Sequence, residues 1–368
     1  MNQKVFLENK LIAAGIVLLT AALILVAALL KPIHNWDTIG YVAAAYQDNG
    51  HTGADLLARS YADVRADSGE ADYRVLTEGI YRATVASDPV SLEQQIPFYS
   101  IRMVYVGLVR LVGEATGSFA RSSHLISAFF GFASVLAMGL IFWRERIPAV
   151  ALPLVVLPAG VLNISRLATP DTLACFTSLL LVICMSANHA VAYALVATLP
   201  LMRSDFVIFS LLAAIYMFCV HKRTYAGLAA AVSVLLYMLI GKVNGNLGYF
   251  TLLHFTFLDL NPYPADLVAS HDPRDYLVPF LVNTNYLVSD GIFVLFAMAL
   301  VIIAANIRTV TQDRGIALFI VLPTAFALGH FVLFPHYDNR FLVSSFLLVI
   351  AGILRGVHAE DPPRTIRA

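Results

Sequence analysis

The sequence predicts an all-α integral membrane protein of about ten transmembrane helices with a long first outer loop. Three observations carry that reading. The 368 residues are 59% apolar and only 13% charged, whereas soluble domains carry roughly 25% charge. Mean hydropathy is +0.76. Uncharged apolar runs recur along the chain at lengths close to those that cross a bilayer. So little polar surface excludes a soluble enzyme, a disordered chain and a nucleic-acid binder. The 24 basic and 24 acidic residues cancel, so net charge selects no partner.

The first run, Leu11–Leu30, follows Lys4 and Lys10 and has no small-x-small cleavage site after it. It reads as a retained span, not a signal peptide. The runs that follow are Ser122–Trp143, Ile147–Ser165, Thr172–Met202, Phe206–Val220, Thr224–Gly241, Gly291–Ile307, Gly315–Pro335 and Phe341–Leu354. Thr172–Met202 has 31 residues, too many for one ordinary span, and divides at Asn188-His189. Ten spans result. Basic residues then fall as the positive-inside rule requires if both termini are cytoplasmic. Eleven lie inside (Lys4, Lys10, Arg144, Arg146, Lys222, Arg223, Arg308, Arg314, Arg355, Arg364, Arg367), against five in the outer connections beyond the first loop (Arg166, Arg203, Lys242, Arg274, Arg340).

On this reading residues 1–357 form a single transmembrane domain and 358–368 a short cytoplasmic tail. The outer loops are 31–121 and 242–289. The first contains mixed apolar and charged stretches around Ala54–Ala66 and Arg74–Ala86 that suit surface helices. In 91–112, Ser91 and Gln94 have the spacing of a capping box. Ile101, Val104, Tyr105, Leu108 and Val112 then recur at helical spacing, interrupted by Arg102 and Arg110. Central arginines disfavour a span, so this segment is expected to lie at the outer interface or dip into it, with both arginines on lipid head groups. Cys175, Cys184 and Cys219 all sit in apolar runs and imply no disulfide.

The scarce charges collect on the outer side at the ends of spans: His34-Asn35-Trp36-Asp37, Arg166 with Asp171, Arg203 with Asp205, and His336-Tyr337-Asp338-Asn339-Arg340. Ionisable groups at a membrane edge are functional candidates because desolvating them is costly. Guanidinium groups there suit phosphate oxygens. Asp37, with Tyr41 one turn onward, is the candidate general base, its pKa raised beside a water-poor surface. Plainer roles exist: Asp37 also suits a helix N-cap, and Arg166 with Asp171 suits a surface ion pair. No metal-ligand pattern is present, so no metal is assigned. His271, Asp272 and Asp275, together with Asp37, are the alternative cation set.

The chain resembles the C-type glycosyltransferase superfamily of polyprenyl-phosphate-sugar-dependent membrane enzymes. The acidic Asp37 after span one, followed by a large outer loop, carries the first likeness. Ile96-Pro-Phe-Tyr99 is similar to that family's proline–proline–leucine–tyrosine segment, and Phe119-Ala-Arg-Ser-Ser-His-Leu-Ile-Ser-Ala128 to its arginine-leucine-proline-serine-alanine start of span two. Arg166-Leu-Ala-Thr-Pro-Asp-Thr-Leu-Ala174 resembles its arginine…proline-aspartate-alanine-leucine segment, and Leu201-Met-Arg-Ser-Asp205 its later arginine-proline-aspartate. His336, Tyr337 and Arg340 resemble its late aromatic–arginine cluster.

The resemblance implies an inverting transferase of the bacterial inner membrane with its active site facing the periplasm. Asp37 would activate an acceptor hydroxyl on a glycan, lipid or protein. Arg166, Asp171, Arg203, Asp205, His336, Tyr337, Arg340 and Tyr41 would hold the lipid-linked donor, with membrane lipids as further partners. The other classes the residues permit are a transporter or flippase for an anionic lipid or solute, and a non-catalytic subunit of an envelope assembly.

Overall fold

The architecture is helical throughout, because the apolar runs lack the turn residues and alternation that strands need. The computed structural model describes residues 3–220, 223–289, 292–306, 313–336 and 338–359. Among these the only β-type pairing is an isolated bridge between Ile33 and Leu167. The helices are α1 (Gln3–Leu30), α2 (Trp36–Asp48), α3 (Gly53–Thr77), α4 (Ile80–Ser87), α5 (Pro89–Gln95), α6 (Pro97–Ser100), α7 (Met103–Thr116) and α8 (Phe119–Arg144). They continue with α9 (Leu152–Val156), α10 (Val161–Arg166), α11 (Asp171–Ser186), α12 (Val191–Thr198), α13 (Val207–Val220), α14 (Arg223–Val243), α15 (Tyr249–Phe257), α16 (Pro273–Ser289) and α17 (Ile292–Ala305). The last two are α18 (Arg314–Leu333), which contains a π turn at Ala317–Val321, and α19 (Val343–Ala359).

Five segments are long and apolar enough to cross a membrane: Lys10–Leu30, Phe119–Arg144, Arg223–Val243, Arg314–Leu333 and Asn339–Val357. Two bent pairs, α5–α6 with α7 and α16 with α17, raise the number to seven if each is one span. Ten was expected. The apolar runs do become helices, but α11, α12 and α13 are too short for ordinary spans, and Ile147–Ser165 breaks into α9 and α10 at Gly160, whose φ is 89°. Thr172–Met202 divides at Asn188-His189, with Asn188 in the left-handed region at φ 55°. In α1, Leu11, Leu18, Leu19 and Leu23 face outward, the arrangement of a helix against lipid and not against a protein core.

Where helices pack closely, small residues decide the spacing. A Cβ at Gly139 of α8 would stand 2.6 Å from Val17 of α1, so a glycine is required at that crossing. At the end of the bundle where α8 finishes, Lys10 lies over the Trp143 ring, Arg355 reaches Glu145 at 2.8 Å and Asp313 at 3.2 Å, and Arg314 reaches Asn188 at 3.3 Å. Lys10, Arg314 and Arg355 are among the basic residues expected on the inner side.

The other end carries the long loops. The first is built from α2 to α7 around a core of its own that includes Ile39, Val42, Leu56, Val64, Leu76, Leu92 and Tyr105. Both stretches expected to form surface helices are helical: α3 breaks at Gly69, where φ 70° and ψ 168° leave the helical region, and a second break near residue 78 precedes α4. The capping box does not form. Asp88 caps α5 by accepting from the Val90 amide at 2.9 Å, while the Ser91 hydroxyl and the Gln95 amide both donate to the Pro262 carbonyl. Together with Tyr263 donating to Asp88 at 2.6 Å, these bonds dock the segment around Pro262 and Tyr263 on α5.

Candidate functional site

Four elements distant in sequence bring their charges together at the looped end. Asn35 is the N-cap of α2 and Trp36 its first residue, so Asp37 enters the first turn and does not cap the helix. Its Oδ2 accepts from Arg340 Nη1 at 2.5 Å and from Asn35 Nδ2 at 3.0 Å; Tyr99 Oη lies 3.5 Å from Oδ1. Arg102, at the bend between α6 and α7, adds a second positive charge that acts on both Asp37 and Tyr41. The Arg102 Nε is buried and has no hydrogen-bond partner among the described residues.

Burial alone would raise the Asp37 carboxyl, but the Arg340 guanidinium, the field of Arg102 and the Asn35 amide hold it below its ordinary range. The expectation of a raised pKa is therefore corrected. The neighbouring arginines outweigh the water-poor surroundings, and Asp37 is an ionised acceptor of hydrogen bonds.

A second cluster adjoins the first. Arg203 is 4% exposed and pairs with Asp171, also 4% exposed, and with Asp205 at 3.0 Å. Asp205 also pairs with His330 at 3.0 Å. The anticipated Arg166–Asp171 pair does not form, because Asp171 at the start of α11 faces Arg203 instead. Phe341 joins the two clusters: the Arg203 guanidinium lies 4.6 Å from its ring centroid and that of Arg340 4.9 Å away. His336 packs its ring 5.6 Å from Phe341, and burial lowers the His336 imidazole below its ordinary value. Two guanidinium groups against one aromatic ring are held in register by it.

Asp37, Tyr41, Asp171, Arg203, Asp205, His336 and Arg340 thus gather in one region. Tyr337 lies outside the described residues. Arg166 stays out of the cluster: its Nε donates to the Lys31 carbonyl at 2.5 Å, and its own carbonyl accepts from Ile33 at 2.8 Å. His271, Asp272 and Asp275 form no group with Asp37; Asp272 accepts from the Arg274 amide and Asp275 from the Ser270 hydroxyl. The sequence reading missed Tyr99, Arg102, His330 and Phe341. Arg102 interrupts an apolar helical stripe, the one signal that could have marked it. Tyr99 closes the Ile96-Pro-Phe-Tyr99 segment, and His330 and Phe341 resemble ordinary core residues.

Gly40 sets the floor of the site. A Cβ there would run into the Tyr99 ring, so only glycine lets Tyr99 lie across α2 and reach towards Asp37. Tyr41 continues the aromatic floor, meeting the Tyr99 and Tyr105 rings at 5.1 and 4.9 Å. A separate cavity of about 700 Å³, lined by Asn188, His189, Tyr193 and Tyr225 among others, contains none of these residues.

No family model, curated protein or solved structure matches this chain.

Proposed function

We propose that the chain is a membrane glycosyltransferase that moves a sugar from a polyprenyl-phosphate donor to an acceptor hydroxyl on the periplasmic face of a bacterial inner membrane. The observation that supports this most is the ionised Asp37 carboxylate held against Arg340 and Arg102, with Arg203 one aromatic ring away. A transferase of this kind needs two things in one place: a base for the incoming hydroxyl and positive charge for the departing phosphate. The cluster supplies both.

In this reading the acceptor oxygen attacks the anomeric carbon and the bond from that carbon to the phosphate oxygen breaks. The hydroxyl proton passes to Asp37, and polyprenyl phosphate leaves with its charge on Arg340 and Arg102. A single displacement with one base gives inversion. Before donor binds, Arg340 neutralises Asp37 and makes it a weak base. A phosphate that draws Arg340 towards itself relieves Asp37 of that charge and strengthens the base when substrate is present.

Purified protein incubated with polyprenyl-phosphate sugars and followed by mass spectrometry tests the proposal. Transfer or release of sugar supports it. Movement of intact lipid across a vesicle without chemistry would favour a transporter instead.

A further inference from the structure

We infer that His34, Asp67 and His124 form a transition-metal site, best suited to zinc, that ties the α1–α2 connection to α3 and α8. Among the described residues this is the one group of three or more side chains of metal-ligating type whose donor atoms all lie within 4.8 Å of one another. The side chains are 3%, 13% and 8% exposed, so the two imidazoles are almost wholly removed from water. His34 Nε2 lies 3.2 Å and His124 Nε2 3.9 Å from the same carboxylate oxygen, Asp67 Oδ2.

The outer partners determine which nitrogens can bind. His124 Nδ1 lies 3.2 Å from the Arg166 carbonyl. A carbonyl only accepts, so Nδ1 carries the hydrogen and a neutral His124 directs its Nε2 lone pair at Asp67. That nitrogen is buried and has no hydrogen-bond partner. His34 Nδ1 lies 3.3 Å from Asp72 Oδ2. Both His34 nitrogens thus face carboxylates, and Nδ1 makes no hydrogen bond as it stands. A metal between the three side chains gives the unpartnered His124 Nε2 a role. It would take the His124 and His34 Nε2 lone pairs and one Asp67 oxygen, with His34 Nδ1–H turned onto the nearby Asp72 and His124 Nδ1–H on the Arg166 carbonyl. Ligating histidines almost always donate their second nitrogen to a carboxylate or a backbone carbonyl in this way.

Two imidazoles and one carboxylate favour zinc over magnesium or calcium, which take oxygen ligands. Ligands of tetrahedral zinc stand about 3.3 Å apart, so donor atoms now within 4.8 Å of one another close by up to about 1.5 Å on binding. The site lies apart from the Asp37 cluster, but His34 is three residues before Asp37. Pinning His34 fixes the segment from which α2 presents its carboxylate.

The full chain, purified in detergent with a histidine-free tag, is stripped with chelator and titrated with zinc, reading metal content, thermal midpoint and, with cobalt(II) as substitute, the visible absorption of a tetrahedral site. The wild type should hold about one zinc per chain and unfold at higher temperature when loaded. His124→Gln and Asp67→Asn should bind at least tenfold more weakly, and Asp72→Asn about tenfold more weakly. Magnesium and calcium should leave the midpoint unchanged. If a variant fails to fold, the wild-type cobalt spectrum alone decides: absence of tetrahedral bands overturns the site. So does zinc uptake unchanged by His124→Gln or Asp67→Asn, which would leave a histidine–carboxylate cluster only.

Discussion

Asp37 and Arg340 are 303 residues apart in sequence and meet at 2.5 Å. Their contact ties the first turn of α2 to the segment that leads into α19, and it sets the charge state of the carboxylate at the centre of the proposed site. Arg340 is shared: its Nε stands 2.9 Å from Asp338, so the arginine is held from two sides and is restrained before any ligand arrives.

Lysine in place of Arg340 keeps the charge but loses the planar fork that touches Asp37 and Asp338 together. We expect Arg340→Lys to weaken binding of polyprenyl phosphate about tenfold or more, measured by native mass spectrometry, with the protein still folded. Binding equal to the wild type would remove Arg340 from the phosphate site.

Arg203 and Asp171 are the most buried charges of the region. Truncation of Arg203 to alanine strands Asp171, and breaking a buried pair from one side costs about 3–5 kcal/mol. Arg203→Ala should therefore lose stability in denaturant unfolding by that amount, while Asp171→Leu with Arg203→Leu should recover most of it. A loss under 1 kcal/mol for Arg203→Ala would mean that the pair is not desolvated.

The Phe341 ring holds two guanidinium groups. Leucine fills similar volume without the π face, so Phe341→Leu should cost about 0.5–2 kcal/mol and couple non-additively with Arg340→Lys. A double-mutant cycle measures this; simple additivity would mean that the stacking carries no energy.

Gly40→Ala pushes against the Tyr99 ring. Overpacking of this kind costs about 1–3 kcal/mol, and it should reduce turnover in proportion as Tyr99 leaves Asp37. Tyr99→Ala in the same background should restore the thermal midpoint. No change on Gly40→Ala would contradict the close approach.

The pH dependence follows from the lowered Asp37 carboxyl. A depressed carboxylate contributes stability above its unfolded value, here 3.8, and loses that contribution as pH falls through the lower folded value. Asp37 should accordingly stay ionised from about pH 5 to 8. The kcat/KM of the free protein should show no acidic limb from this residue in that range, and an Asp37-dependent limb near pH 6 would mean that the arginines do not control it.

The membrane character and the places where helices form were legible in the sequence because apolar runs and their breaks are local properties. Asn188 ended one helix where a break was anticipated. The number of spans was not legible, since hydropathy counts apolar residues and does not see that Gly160 breaks the run between Ile147 and Ser165. Clustering of charge at span ends pointed to Asp37, Arg203 and Arg340. Which charges would meet did not follow: Asp171 chose Arg203, 32 residues away, over the nearer Arg166. Arg102 was assigned to lipid head groups because its stripe reads as amphipathic, and only the bend between α6 and α7 turns it towards Asp37. The same long-range folding, invisible in local pattern, joined His34 to Asp67 and His124.

The most direct measurement compares wild type and Asp37→Asn, each incubated with polyprenyl-phosphate sugar, with donor binding and release of polyprenyl phosphate followed on the same preparations. The amide keeps the size of the side chain and removes the base. Both proteins should bind donor, and release by Asp37→Asn should fall by about 10²–10⁴-fold. Release at the wild-type rate from Asp37→Asn, or no donor binding by either protein, would contradict the account.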